Sequence, residues 1–347
     1  MKVTALYVYP VKSLRGIRLD QSQLGPQGLR YDRRFIIYRV EDDGTLRKVQ
    51  VDGHPQCSRF YQEIVGGSIQ VRYQPPDEPL LPPRPEHQDC LEIPLDPNLS
   101  DLEQCDVNLH QSLVKAYRMG PRYEAWLSAC FGFETRLFYI GDSRRPVLGS
   151  FAPVAQPAPP SGWLSTISSF IGGNAGAEGT GPEPYWLNFS DCAPYLITTE
   201  ASLHNVNARF AESDVGMYKF RPNIVVDGER EWDEDFWGSL SLKGQPAFAM
   251  TKMCTRCVSL NVDYDTGRVG EGERGTVLKK LASDRRVDPG SKYSPVFGRY
   301  AFLDSSAAEN AVISVGDEVI VTSRIEERPM NDWPIRDPEQ ARFYRYA

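Results

Sequence analysis

The sequence predicts a mainly β chain with some helix, an α+β protein of two domains. Short segments of alternating apolar and polar residues, broken by Pro- and Gly-rich turns, recur before residue 115 and again after residue 186. Between these regions the composition shifts abruptly to Pro, Gly and Ala. At about 150 residues per domain, 347 residues leave room for two domains.

Residues 1–115 read as a small barrel or sandwich. In KVTALYVY, Val3, Ala5 and Tyr7 alternate with Lys2, Thr4 and Leu6. RRFIIYRV faces TLRKVQV across EDDG, an Asp-Gly hairpin signal. Residues 116–142 form a helix–strand connection. PRYEAWLSACF at 121–131 has helical spacing with Pro121 in the first turn, and TRLFYIG is the strand after it.

Residues 143–185 form a flexible insert with too little apolar surface to order itself. Within it, WLSTISSFI places Trp163, Leu164, Ile167, Phe170 and Ile171 on one helical face. That short helix has no Lys or Arg, so it suits docking on protein better than on a membrane. Residues 186–322 are compact again. LITTEASLHNVNARF gives a strand end, a Thr cap and a helix from near Glu200, and FRPNIVVDG gives a strand. SLSLKGQPAFAMTKM and VSLNVDYDTG both alternate in strand fashion, GTVLKKLASDRR is helical, and ISVGDEVIVTSR is two strands joined by a tight turn. Residues 323–347 are a polar tail.

A net charge of −7 repels phosphate backbones and argues against a nucleic-acid partner, so any anion site must be a local basic pocket. The seven cysteines include five well-separated ones, Cys57, Cys90, Cys105, Cys130 and Cys192, which suits a reduced intracellular chain. Neither a secretory nor a transit pattern opens the sequence, and no apolar run is long enough for a transmembrane segment. The expected location is cytoplasmic.

The chemistry centres on MTKMCTRCVSLNVDYDTG, where Cys254 and Cys257 have the spacing shared by zinc sites and thioredoxin-like centres. Zinc needs two further ligands nearby, whereas the other cysteines are unpaired and His54, His87, His110 and His204 lie far upstream. A thioredoxin-like thiol needs a helix N-terminus, and β-like segments flank this pair. Two plain cysteines in a strand connection is the bland reading. The remaining one is a single soft thiolate for a metal carried by its own anionic cofactor, favoured if Lys252 and Arg256 point toward it.

CTRC followed by LNVDYDTG resembles the signature of the MOSC domain, in the branch of the mitochondrial amidoxime-reducing component and YcbX-type reductases. YPVKS near the start, YDRRF at 31–35, SDCAPYLI at 190–197, FRPNI at 220–224 and SPVFGRY at 294–300 match in the same order. The resemblance covers nearly the whole chain outside the insert and tail. It implies an N-terminal MOSC β-barrel domain followed by a C-terminal, barrel-like MOSC domain, with molybdenum cofactor (Mo-molybdopterin) between them. It also implies Cys257 as the metal ligand and a catalytic residue, with no assigned role for Cys254. Lys12, Ser13, Arg33, Arg221 and Asn223 would bind the cofactor. Arg34 could exchange with Arg33 through strand alternation, and Arg221 and Asn223 would share a strand face.

Asp191 is retained as a catalytic candidate in SDCAP, but Cys192 and Ala193 replace small hydroxyl residues usual in the reductase branch. Cys192 stays a candidate cofactor contact. The insert has no family counterpart, and no mitochondrial anchor is seen, leaving surface association with mitochondria open. Pyridoxal phosphate binding enters only as a family-level term.

The implied activity is reduction of N-hydroxylated compounds, with nitrite as an alternative substrate, by oxygen-atom abstraction at a cysteine-ligated molybdenum. No cysteine cluster suits an iron–sulfur centre, so electrons come from a separate protein of the cytochrome b5 type with its flavoprotein reductase. The rival readings are a non-enzymatic carrier of molybdenum cofactor and a MOSC fold that no longer binds it.

Overall fold

The computed structural model describes residues 1–153, 185–307 and 311–334. The expected helix in WLSTISSFI and the last residues of the tail lie outside them. The chain is mainly β, as the alternation predicts. Its largest sheet has eight strands in the order Ile17–Leu19, Val3–Val8, Ile224–Val226, Tyr195–Thr199, Val296–Leu303, Gln245–Thr255, Trp237–Leu242 and Val319–Arg324. A five-stranded sheet runs Glu103–Leu109, Ser112–Arg118, Thr135–Tyr139, Phe35–Val40, Leu46–Lys48, beside a three-stranded one of Phe60–Val65, Ser68–Tyr73 and Cys90–Pro94. The first strand therefore lies between Ile17–Leu19 and the distant Ile224–Val226, and belongs to neither of the two smaller sheets.

Several elements form where local chemistry asks for them. The EDDG hairpin closes with Glu41 N–H donating to Thr45 O. The helix Pro121–Phe131 matches its sequence pattern residue for residue and ends on left-handed Gly132. It buries Trp126, Leu127 and Phe131 in a core that includes Phe35, Phe60 and Leu137. Thr199 caps Glu200–Asn207, its hydroxyl accepting from Ser202 N–H. That helix joins the one parallel strand pair of the large sheet, Tyr195–Thr199 with Ile224–Val226.

Other readings need correction. In the first strand the alternation breaks: a register shift between Val3 and Ala5 leaves Ala5, Leu6 and Val8 all buried. VSLNVDYDTG is not one strand, because Val258–Asn261 coils into a 3-10 turn that exposes Val258 and buries Leu260. Only Ile224–Val226 of FRPNIVVDG is strand. In ISVGDEVIVTSR both strands form but pair elsewhere, Val312–Ser314 with Gln21–Gly25 and Val319–Arg324 with Trp237–Leu242.

The strand Gln245–Thr255 that leads to the cysteine pair is bent by two register shifts against Val296–Leu303, one before Met253 and one after it. Gly298, at φ 76°, lies opposite the bend. A Cβ there would fall 2.6 Å from Thr198 Cγ2 and 2.8 Å from Ile197 O, so only glycine fits. Gly298→Ala combines a left-handed side chain with overpacking and is expected to cost about 3 kcal/mol. Urea unfolding measures this, and a loss below about 1 kcal/mol would contradict a rigid bend.

Candidate functional site

One cleft of about 850 Å³, including its open mouth, gathers most of the residues that the motifs single out. Lys12, Ser13, Arg33, Asp191, Arg221, Asn223 and Cys257 all line it, from segments spread over 246 positions of sequence. Arg34 and Cys192 do not. Arg34 turns away, donating to Tyr139 Oη at 2.7 Å and Gly141 O at 3.0 Å. Cys192 packs with Phe151, Leu187 and Tyr300, and burial pushes its thiol far above the usual range.

Three of the cleft residues hold left-handed backbone without being glycine: Ser13 at φ 75°, Arg33 at 49° and Arg221 at 53°. Such conformations cost on the order of 1–2 kcal/mol each and persist where surroundings over-determine them. They also correct the strand-based readings. Arg33 and Arg34 part company at a turn, and Arg221 ends the 3-10 turn Met217–Phe220, so no strand face joins it to Asn223.

The cations are held in a particular way. Tyr9 is buried with Arg33 Cζ 4.6 Å and Arg221 Cζ 4.4 Å from its ring centroid, and its hydroxyl donates to Pro222 O. Asp32, fully buried, accepts from Arg33 Nη1 at 2.5 Å and from Tyr9 N–H at 2.8 Å. Arg33 also donates to Asn223 Oδ1 and Arg221 O, each at 3.3 Å. Arg221 donates to Leu14 O at 2.9 Å. Lys219 donates to Leu260 O and Val262 O, and Arg256 to Phe220 O and Phe297 O. Carbonyls orient a cation without cancelling its charge. Five cationic side chains line the cleft against two carboxylates, Asp52 and Asp191, which supplies the local basic pocket an acidic chain needs.

Lys12 donates to Phe189 O at 2.8 Å and Asp191 Oδ1 at 2.5 Å. Burial lowers its pKa to about 8, although Asp191 opposes the shift. Burial also works against ionised Asp191, but Lys12 and His110 outweigh it and hold the carboxyl well below its usual range. Ser13 Oγ donates to Val49 O, keeping its lone pairs available.

Cys257 is exposed at the rim, its Sγ 3.2 Å from Ser259 Oγ. Cys254 is buried, bonded to Tyr300 Oη at 3.2 Å, with its thiol raised by burial and partly relieved by Arg256. The two cysteines thus occupy different environments. Lys252 donates to Met330 O, and Arg256 donates to Phe220 O and Phe297 O. Among the described residues, no three His, Cys, Asp or Glu side chains converge as a metal-ligand set. The donor set fits an anionic group that brings most of its own metal ligands and takes one thiolate from the chain.

Residues 1–134 match the MOSC N-terminal beta barrel domain and residues 184–320 the MOSC domain. The chain belongs to the MOSC-domain family. It is 26% identical over 331 residues to the protein named mitochondrial amidoxime-reducing component 1 of Homo sapiens, covering 91% of this chain and 82% of that one. It is likewise 26% identical over 321 residues to mitochondrial amidoxime reducing component 2 of Macaca fascicularis, covering 91% and 82%. The protein named molybdenum cofactor sulfurase of Homo sapiens is 24% identical over 92% of this chain but only 32% of its own length. This MOSC protein is thus related to molybdenum-cofactor proteins. No helix among the described residues is long and apolar enough to cross a membrane.

Tyr9, Asp32, Lys219 and Tyr300 were within reach of the sequence, since they lie inside or beside the quoted motifs. His110, whose Nε2 is 2.9 Å from Asp191 Oδ1, carried no signal because it lies far from all of them.

Lys12 gives the cleft a pH dependence. It is charged below about 8 and neutral above, so affinity for sulfate, which does not titrate in this range, is expected to fall as pH rises from 7 to 9. Calorimetric titration measures it, and Lys12→Met should abolish that inflection. A wild-type affinity flat across this range would contradict a cationic role for Lys12.

Proposed function

We propose that the chain is a molybdenum-cofactor-dependent reductase of N-hydroxylated compounds such as amidoximes and hydroxylamines, with nitrite as a further substrate. The observation that carries this reading is the exposed Cys257 thiol at the rim of a cleft lined by five cations, three of them, Lys219, Arg221 and Arg256, anchored by carbonyls and not by carboxylates. Its support from relatives is the similarity, over 91% of the chain, to proteins named amidoxime-reducing components.

In this reading Cys257 is the single thiolate ligand. Lys12, Arg33 and Arg221 hold the cofactor phosphate, while Ser13 and Asn223 meet its polar edges. The bound cofactor supplies two-electron removal of oxygen from N–OH at molybdenum. Asp191 manages the proton at the cleft. Arg34 drops out of the binding set, and Cys192, next to Asp191 in the same loop, is a packing residue against Phe151, Leu187 and Tyr300. Electrons come from a separate redox protein of the cytochrome b5 type and its flavoprotein reductase.

A carrier role is the second reading, motivated by the match to one third of a cofactor sulfurase. The test loads the protein with molybdenum cofactor and supplies reduced viologen and benzamidoxime. Amidine formation is expected. Cys257→Ser should lower it at least about 100-fold, with stability changed by no more than about 0.5 kcal/mol because the side chain is exposed. Tight loading without turnover would favour the carrier, and undiminished turnover by Cys257→Ser would overturn the ligand assignment.

A further inference from the structure

We propose that Lys48 and His110 pass protons from solvent to Asp191 along the bonded row Lys48–His110–Asp191, with His110 as the positioning residue that sets the row's direction. The proposal rests on the reductase reading above.

His110 and Gln111 form the two-residue loop between the strands Glu103–Leu109 and Ser112–Arg118. Both are left-handed, at φ 56° and 67°, in the geometry of a turn that Asn-Gly fills most easily. A His-Gln pair is a costly choice for a hairpin tip. The same choice places an imidazole from the N-terminal five-stranded sheet against Asp191 of the loop that follows residue 188.

The bonding partners fix the proton positions. An ionised carboxylate only accepts and an ammonium only donates. His110 Nε2, 2.9 Å from Asp191 Oδ1, therefore carries the proton, and Nδ1, 3.2 Å from Lys48 Nζ, accepts one. Burial lowers the imidazole's pKa and keeps it neutral, as this pattern requires. The groups facing it are Asp191 and Lys12 on the cleft side and Lys48 on the other. Lys48 in turn lies near Asp52, Arg145 and Cys192, and burial lowers its pKa too, which eases release of its proton.

Lys12, only 4% exposed, has no comparable opening to water, whereas Lys48 is partly exposed. Lys12 and His110 bond the same oxygen of Asp191, whose side chain stays 45% exposed where it lines the cleft. Reducing N–OH to N–H with release of water breaks one N–O bond and takes two electrons, from the external redox protein, and two protons. In each transfer Lys48 gives a proton to Nδ1, the Nε2 proton moves to Asp191, and Asp191 gives a proton to the substrate. Water then reprotonates Lys48, and before the second transfer the imidazole regains its starting tautomer, Nδ1 giving its proton to solvent and Nε2 taking one from solvent.

The test separates relay from scaffold with His110→Asn. Asparagine takes the left-handed conformation more readily than histidine, so the melting temperature should hold or rise. In the loaded enzyme with reduced viologen and benzamidoxime, kcat should fall about tenfold or more, the solvent deuterium isotope effect should grow, and added imidazole should restore part of the rate. In the cofactor-free protein, ¹⁵N spectra at pH 7 should show His110 neutral with its proton on Nε2. Unchanged kcat and isotope effect in His110→Asn, or an imidazole protonated on Nδ1, would overturn the relay alone. A loaded wild type without turnover would overturn the reductase reading, and the relay with it.

Discussion

The cleft depends on holding three of its five cations by backbone carbonyls instead of carboxylates. Transferring a guanidinium or ammonium out of water costs several kcal/mol, and a carboxylate partner is the usual remedy. Here that remedy is confined to Arg33 with Asp32 and Lys12 with Asp191. Arg221, Lys219 and Arg256 are held by the carbonyls of Leu14, Leu260, Val262, Phe220 and Phe297. A carbonyl dipole offsets part of the desolvation and fixes direction, while the net charge survives to meet an anion. That arrangement needs carbonyls pointing inward, and the bent, turn-rich backbone around the cleft supplies them.

Tyr9 shows how the same economy works through packing. One ring lies against two guanidiniums from segments 188 residues apart, so neither arginine can swing without losing its face of the ring. The ring's own hydroxyl is satisfied by Pro222 O, inside the motif that supplies Arg221. The site is therefore assembled by the fold as a whole, not by a single loop. This is why residues from YPVKS, YDRRF, SDCAP and FRPNI meet although no two are sequence neighbours.

Much of this was legible in the sequence where local chemistry decides. The helix at 121–131, the Thr199 cap and the EDDG hairpin follow from spacing and turn residues alone. Resemblance of the ordered motifs to the MOSC signature, not local chemistry, pointed to Lys12, Ser13, Arg33, Arg221, Asn223 and Cys257, which the structure brings to one cleft. The failures arose where tertiary contacts override a local pattern. Strand alternation could not separate Arg33 from Arg34, because a left-handed residue does so. The break in the first strand and the coil at Val258–Asn261 answer to bulges and burial that periodicity does not record. His110 is a lone histidine in a hairpin, and its partner lies 81 residues away.

The placement of Val3–Val8 has a consequence for how the molecule comes to be. It is made long before Ile224–Val226, yet it pairs with that strand, and Val3 lies opposite Val226. On the ribosome one edge of this segment can pair early with Ile17–Leu19, but the other edge must wait, apolar and unpaired, until Ile224–Val226 has been made. Closing so long a loop makes for slow, high-contact-order folding, and exposed strand edges are where chains find wrong partners. Lys12 and Ser13, just after that strand, line the cleft. The pocket cannot exist before the large sheet takes in its earliest strand, which makes the anion site a late event in the life of the chain.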